Sequence, residues 1–311
     1  MTALRDRGIP TYTRRQRARG VGAANRGAAW MLMPALIFFI AFAIVPLLVA
    51  LWLSFARWDA LREPVWVGAD NWLEVLSDPT TADALLLSLK VVVLSWLVQT
   101  PVSVLLGTWT AGRQRNRAVL AAIFVLPLIL SSAAVAIAFK AILDPNFGLG
   151  ASLGIPLLEQ DWLGNEQLAL ITVIFVMAWQ FVPFHTLLYQ GAVRGIPASL
   201  YEAAQLDGAG RVSQFFHVTI PQLRYTIAAS STLIAVGTLT YFDAIFVLSA
   251  GIPNAGVRIL PILMFVTGFS AHQFGKASVI AMILVVIGLA IGVLITKLSG
   301  FDRMESQQEG L

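Results

Sequence analysis

A chain of 311 residues that is 58% hydrophobic and only 12% charged is not a soluble domain, in which about a quarter of residues are charged. Its formal net charge of +4 does not make it a nucleic-acid binder, because the basic residues are dispersed between apolar runs. Zero cysteines exclude disulfides, thiol catalysis and cysteine-ligated metal.

Six apolar runs are long enough to cross a hydrocarbon core of about 30 Å, near 31–54, 85–111, 118–143, 167–192, 222–247 and 277–298. Each is predicted to be a helix, since in lipid the backbone must satisfy its own hydrogen bonds, and nothing reads as the alternating strands of a barrel. The expected fold is therefore all-α and integral to the membrane, with six transmembrane helices.

The chain begins with a basic tail, 1–28, holding Arg5, Arg7, Arg14, Arg15, Arg17, Arg19 and Arg26. The apolar run behind it is too long for a signal peptide, so the tail reads as part of a retained anchor that can also touch anionic lipid. Arg113, Arg115 and Arg117 fill the second loop, Arg194, Arg211 and Arg224 belong to the fourth, and Lys297 and Arg303 follow the last run. Fifteen of the 21 basic residues thus lie in alternate segments, an asymmetry that marks those segments, and both termini, as cytoplasmic. The intervening loops carry the acids: Asp59, Glu63, Asp70, Glu74, Asp78 and Asp83, then Asp144, Glu159, Asp161 and Glu166. The transmembrane domain is expected over 29–300, with a second cytoplasmic tail at 301–311.

In the first outer loop, Trp66-Val67-Gly68-Ala69-Asp70-Asn71-Trp72 precedes Ser77-Asp78-Pro79. Pro34, Pro46, Pro101, Pro127 and Pro183 fall inside apolar runs and are expected to interrupt helices. Gly288 and Gly292 make a small-xxx-small pair in the last run. The fourth run contains Met177-Ala178-Trp179-Gln180-Phe181-Val182-Pro183-Phe184-His185. Gln180 and His185 are costly at hydrocarbon depth unless they face protein or a water-filled path. The aromatic residues suit the C–H faces of sugars; equally, all of them can be helix packing. Gln99 is a further polar candidate in the second run. Tyr241 and Asp243 close the fifth run, and Lys90 and Lys140 are placed at the same face. An ion pair and a solute contact are both open for Asp243.

Between the fourth and fifth runs, the loop 193–222 contains Glu202-Ala203-Ala204-Gln205-Leu206-Asp207-Gly208 and ends on Val218-Thr219-Ile220-Pro221. Pro197 can start a short helix, and Ser199 with Glu202 has capping-box spacing, which places the helix over 201–206. Gly208 can stop it with positive φ, and a second short helix is expected near 212–217 before Pro221 opens the fifth span. Two alanines let a partner approach the backbone closely, and Glu202 offers that partner a charge.

These residues resemble the Glu-Ala-Ala loop of permease subunits from binding-protein-dependent ABC importers, with Ile220 where that family usually has leucine. The first outer loop is similar to the segment outside the first helix of sugar-type permeases. Phe242-Asp243-Ala244-Ile245 through Val247-Leu248-Ser249 and Gly251-Ile252-Pro253 resembles a signature of their first-permease type, with Ile252 replacing a glycine. The resemblance implies a type I importer permease (MetI-like) fold, with Glu202, Ala203, Ala204, Asp207, Gly208 and Pro221 lodged against a separate ATPase. It aligns Met177, Phe181 and Phe184 with solute-lining positions. It also implies a second homologous permease, two ATPase copies and an extracytoplasmic solute-binding protein.

The cargo implied is a carbohydrate or polyol, and no cofactor is expected on this chain. ATP and magnesium would be bound by the partner subunits, for the sequence has no phosphate-binding G-x-x-x-x-G-K-[ST] loop. Two other classes stand beside this one. An ion-gradient-driven secondary transporter should carry intramembrane acids in paired repeats, and only Asp243 qualifies. A membrane enzyme would need a catalytic cluster, whereas His185, His217 and His272 lie in separate segments.

Overall fold

The computed structural model describes residues 30–112, 124–251 and 253–300. The basic tail at 1–28, Arg113, Arg115, Arg117, Ile252 and the 301–311 tail with Arg303 lie outside the described residues.

The chain divides into two units, Met1–Trp52 and Leu53–Leu311. In the first, α1 (Trp30–Leu53, its last residue in the second unit) is helical throughout, with a π turn at Ile40–Ile44. Pro34 and Pro46 do not break it. Its described residues up to Trp52 include none that is buried within the unit.

The second unit opens with a two-stranded antiparallel hairpin, β1 (Ala56–Arg57) and β2 (Val65–Trp66), an addition to the expected all-α fold. Helices α2 (Asp70–Ser77) and α3 (Pro79–Ala111) follow. Asp78 caps α3 by accepting from the Thr80 N–H at 2.9 Å, and Pro79 occupies the first turn, where its missing N–H costs nothing. Next come α4 (Ser132–Ile142) and α5 (Glu166–Arg194), the latter capped by the Asn165 side chain, which accepts from Gln167 and Leu168 N–H. Pro101 and Pro183 sit within continuous helix in α3 and α5, contrary to expectation. A proline removes one hydrogen bond, and packing on both sides of it is enough to carry the helix through.

The chain continues through α6 (Ala198–Leu206), α7 (Arg211–Gln214), α8 (Arg224–Leu239), α9 (Asp243–Leu248), α10 (Leu260–Phe265) and α11 (Phe274–Ser299). Among the described residues four helices are long and apolar enough to span a membrane alone: α1, α3, α5 and α11. The runs at 118–143 and 222–247 are not single helices. The first is helical over 124–129, breaks at Leu130 and Ser131, and restarts as α4 with the Ser131 hydroxyl accepting from the Ala134 N–H. The second breaks between α8 and α9, where the Thr240 hydroxyl donates to the carbonyls of Val236 and Gly237. Such side-chain bonds compete with helix continuation.

The principal core joins α3, α4, α5 and α9 through Val91, Val135, Val173, Met177 and Ile245. Gly107 lets α3 approach α5; a Cβ there would lie 2.6 Å from the Tyr189 Cβ. A second cluster packs Leu260 and Leu263 of α10 against Val279 and Ile280 of α11. The helix Leu260–Ser270, which ends in a π turn at Val266–Ser270, was not expected, for its apolar stretch is too short to read as a span.

Candidate functional site

Two features stand apart: an exposed loop at the ends of α3 and α5, and a cavity among α3, α5 and α8.

The loop follows α5. Helix α6 begins at Ala198 with Pro197 as its cap, and no side chain caps it, so the expected Ser199–Glu202 capping box does not form. The reason is register: starting three residues early puts Ser199 inside the helix. The C-terminus is a Schellman closure. Gly208 N–H donates to the Gln205 carbonyl at 3.0 Å, Ala209 N–H donates to the Ala204 carbonyl at 2.8 Å, and Gly208 has φ +79°. Arg211–Gln214 then runs through a π turn at Phe215–Thr219 into Ile220–Gln222, which holds Pro221 in its first turn.

Neither α6 nor α7 buries a single residue. Glu202 is exposed and makes no hydrogen bond or ion pair among the described residues. Leu206 is 90% exposed and Val212 72%. The loop is fixed by the 3.0 Å hydrogen bond between the Tyr201 hydroxyl and the buried Thr219, by the Gln214 amide donating to the Ala209 carbonyl at 2.8 Å, and by Phe215 and Ile220 packing against Tyr189 and Leu223. A helix with a free carboxylate, two small residues and bare leucine is a surface without its counterpart.

The cavity has a volume of about 340 Å³ and is lined by Gln99, Met177, Phe181, Phe184 and His185, together with Leu128 and the α8 residues Leu233, Ile234, Gly237 and Thr238. The structure thus assembles five of the residues that the sequence singled out. It leaves four others out of the lining. Trp179 turns away, half-exposed, and packs edge-on against Phe139. Gln180 donates to the Leu130 carbonyl at 3.2 Å and accepts from the Tyr241 hydroxyl at 3.1 Å, tying together the two helix breaks. Asp243 is exposed and makes no ion pair with Lys90 or Lys140, so that reading of it fails. Tyr241 is buried and stands edge-on to Phe181 behind the cavity wall.

His185 shares a 2.8 Å hydrogen bond with the Ser230 hydroxyl, which meets the demand of one ring nitrogen within protein. The α8 wall was missed by sequence reading. Its only signal was the pair Gly237-Thr238, a small and a polar residue within an apolar run. Among the described residues no cluster of His, Asp and Glu could hold a metal ion.

At the opposite end of the unit, α2 and the start of α11 meet the hairpin. Asn71 donates to the carbonyls of Ser54 and Ala56, Trp72 donates to the Ser54 hydroxyl, and the Phe274 N–H donates to the Trp58 carbonyl. Lys276 Nζ reaches Glu74 at 2.6 Å, and this hydrogen bond, with the charge of Arg57 beyond it, holds the Glu74 carboxyl below its ordinary range.

A family model described as the inner membrane component of binding-protein-dependent transport systems matches residues 99–301. The probable ABC transporter permease protein YurN of Bacillus subtilis is 31% identical, covering 86% of this chain and 93% of that one. MsmF of Streptococcus mutans, a multiple sugar-binding transport system permease protein, is 30% identical over 88% and 94% of the two chains. In fold, a crystallised bacterial ABC transporter involved in importing the acidic polysaccharide alginate superposes with a TM-score of 0.78 at 22% identity, over 93% of this chain and 100% of its counterpart.

Proposed function

The chain belongs to the family of inner membrane components of binding-protein-dependent transport systems, and from that membership we propose that it carries a carbohydrate or polyol through the membrane, powered by ATP hydrolysed in separate subunits. It is a multi-pass ABC importer permease rather than an enzyme. Carbohydrate as cargo is supported by relatives of this kind, including MsmF and the trehalose/maltose permease MalF of Thermococcus litoralis, 27% identical over 88% of this chain.

The single observation that carries the ATP-driven reading is the α6 loop. Its Glu-Ala-Ala face is exposed, its carboxylate is unpaired, and its C-terminus is locked by Gly208. In this reading Glu202, Ala203, Ala204, Asp207 and Gly208 dock into a cleft of an ATPase, and Pro221 joins the loop to α8. Two ATPase copies bind ATP and magnesium, a second homologous permease completes the pore, and an extracytoplasmic binding protein delivers the solute. Six crossings result if 124–129 pairs with α4, and α8 with α9, as broken spans. The distribution of arginine then sets both termini and the α6 loop in the cytoplasm.

Closure of the ATPases would move α6 as a rigid lever, and through Tyr201–Thr219 the pull reaches the helix below α8. The cavity, one of whose walls is α8, would open alternately to each side. The test is uptake by the reconstituted assembly. Import should require ATP and survive collapse of the proton gradient. Gly208→Val and Glu202→Ala together should abolish it while the chain still inserts. Import that follows the proton gradient without ATP would establish a secondary transporter instead.

A further inference from the structure

The charges around α6 are sorted by face. Glu202 and Asp207 are exposed, and neither carboxylate makes a hydrogen bond or ion pair among the described residues. Between α6 and the ends of α3 and α5 lies a groove of about 480 Å³ with two arginines in its lining, Arg194 from the last turn of α5 and Arg211 from the start of α7. No described Asp or Glu lines it, and Arg211 makes no hydrogen bond or ion pair with any described residue. Two guanidinium groups lining one groove without a carboxylate gain from an anion held between them. The Gln205 amide, also in the lining, adds N–H donors for such an anion.

The groove lies where two spans end: α3 stops at Ala111 and α5 at Arg194, and both residues line it. Trp109, in the last turn of α3, is 57% exposed, as an aromatic residue at headgroup depth would be. Phe216, next in sequence to the groove-lining Phe215, is 60% exposed. We propose that the groove seats the phosphate of an anionic membrane lipid between Arg194 and Arg211. A lipid uses both the cationic nitrogens and the bare aromatic carbon, whereas a free phosphate or an acidic side chain would use only the arginines. The site goes beyond the ATPase contact and leaves room for it. Tyr201 and Gln205, four residues apart, share the stripe of α6 that lines the groove, while Glu202 and Leu206 share the neighbouring one. Bound there, the lipid braces α6 against the ends of α3 and α5.

The chain has no cysteine, so Ala111→Cys places a single thiol in the groove. Its labelling by N-ethylmaleimide is timed on the purified full chain in dodecyl maltoside. Dioleoylphosphatidylglycerol, dioleoylphosphatidylcholine or inorganic phosphate is added in turn. The phosphatidylglycerol should slow labelling about threefold and the other two should not. A control thiol from Gln222→Cys, outside the groove, should be labelled at one rate throughout. Arg211→Gln should raise the lipid needed for half-protection about fivefold, and Arg211→Lys should bring it back to within about twofold, with unprotected labelling unchanged in both. The lipid site is overturned if no lipid protects, if phosphatidylcholine or inorganic phosphate protects equally, if the control thiol is slowed as much, or if Arg211→Gln leaves protection intact. Protection by added ATPase subunits in place of lipid, lost with Arg211→Gln, would overturn it too and assign the groove to an acidic residue of that partner.

Discussion

The two ends of α3 are built in opposite ways. At its start, the hairpin, α2 and the first turn of α11 close on one another through buried groups: Asn71 is 1% exposed, Ala56 is sealed, and Gly275 presses so close that a side chain there would meet the Ala56 carbonyl. At its finish, α6 and α7 bury nothing and are held by Tyr201, by Gln214 and by their own backbone. An end that satisfies its own hydrogen bonds can keep its shape alone. An end with an unpaired carboxylate and bare leucine is shaped by local bonds and, in the reading proposed above, completed by another protein. If α6 docks on an ATPase as proposed, the difference marks where force would enter: through the end that lacks an interface of its own.

The sharpest way to break this contrast is Gly275→Ala. The new methyl would strike a backbone oxygen and lie 2.8 Å from the Asn71 amide nitrogen. A loss of about 1–3 kcal/mol is expected, seen as a lower melting temperature of the purified protein. An unchanged melting temperature would show that the hairpin end is as loose as the other.

Gly208→Val should do the reverse. Its φ of +79° strains any β-branched residue by about 1–2 kcal/mol, but no neighbouring atom lies within 4 Å of its added Cβ. Because α6 buries nothing, local fraying can relieve that strain, so melting should fall less than in Gly275→Ala while ATP-driven uptake falls about tenfold, equivalent to about 1.4 kcal/mol. A large drop in stability would mean that the loop belongs to the core after all. Tyr201→Phe removes only the bond to Thr219, worth about 0.5–1.5 kcal/mol, and should raise the ATP hydrolysed per solute carried without altering expression.

The smallest effect concerns pH at the hairpin end. The folded-state pKa of Glu74 is depressed, chiefly by the Lys276 hydrogen bond, so its contribution is present above its unfolded value and lost as pH falls through the lowered one. Asp59 behaves alike, held down by the Arg62 and Leu61 backbone N–H groups. Glu74→Gln should therefore melt slightly below the unaltered chain at pH 7, and the gap should close in acid. A gap that persists at low pH would assign the effect to packing.

Much of this was legible in the order of residues. Four uninterrupted helices follow from apolar length, and the stop at Gly208 follows from glycine's access to positive φ, a local property that needs no neighbour. The start of α6 was misplaced because capping-box spacing is necessary for a cap but does not choose among competing registers. The prolines misled for a related reason: Pro101 and Pro183 remove single bonds, and whether a helix survives depends on what packs around it.

The amino-acid sequence by itself determined a membrane chain and the chemistry of its connecting loop, since hydropathy, glycine and charge act through local physics. Only the tertiary structure decided that Gln180 is spoken for while Gln99 lines the cavity. Both are glutamines in apolar runs, and nothing in either run distinguishes them. What separates them is whether the breaks at Leu130 and Tyr241 bring a carbonyl and a hydroxyl within about 3 Å, a matter of how distant segments meet.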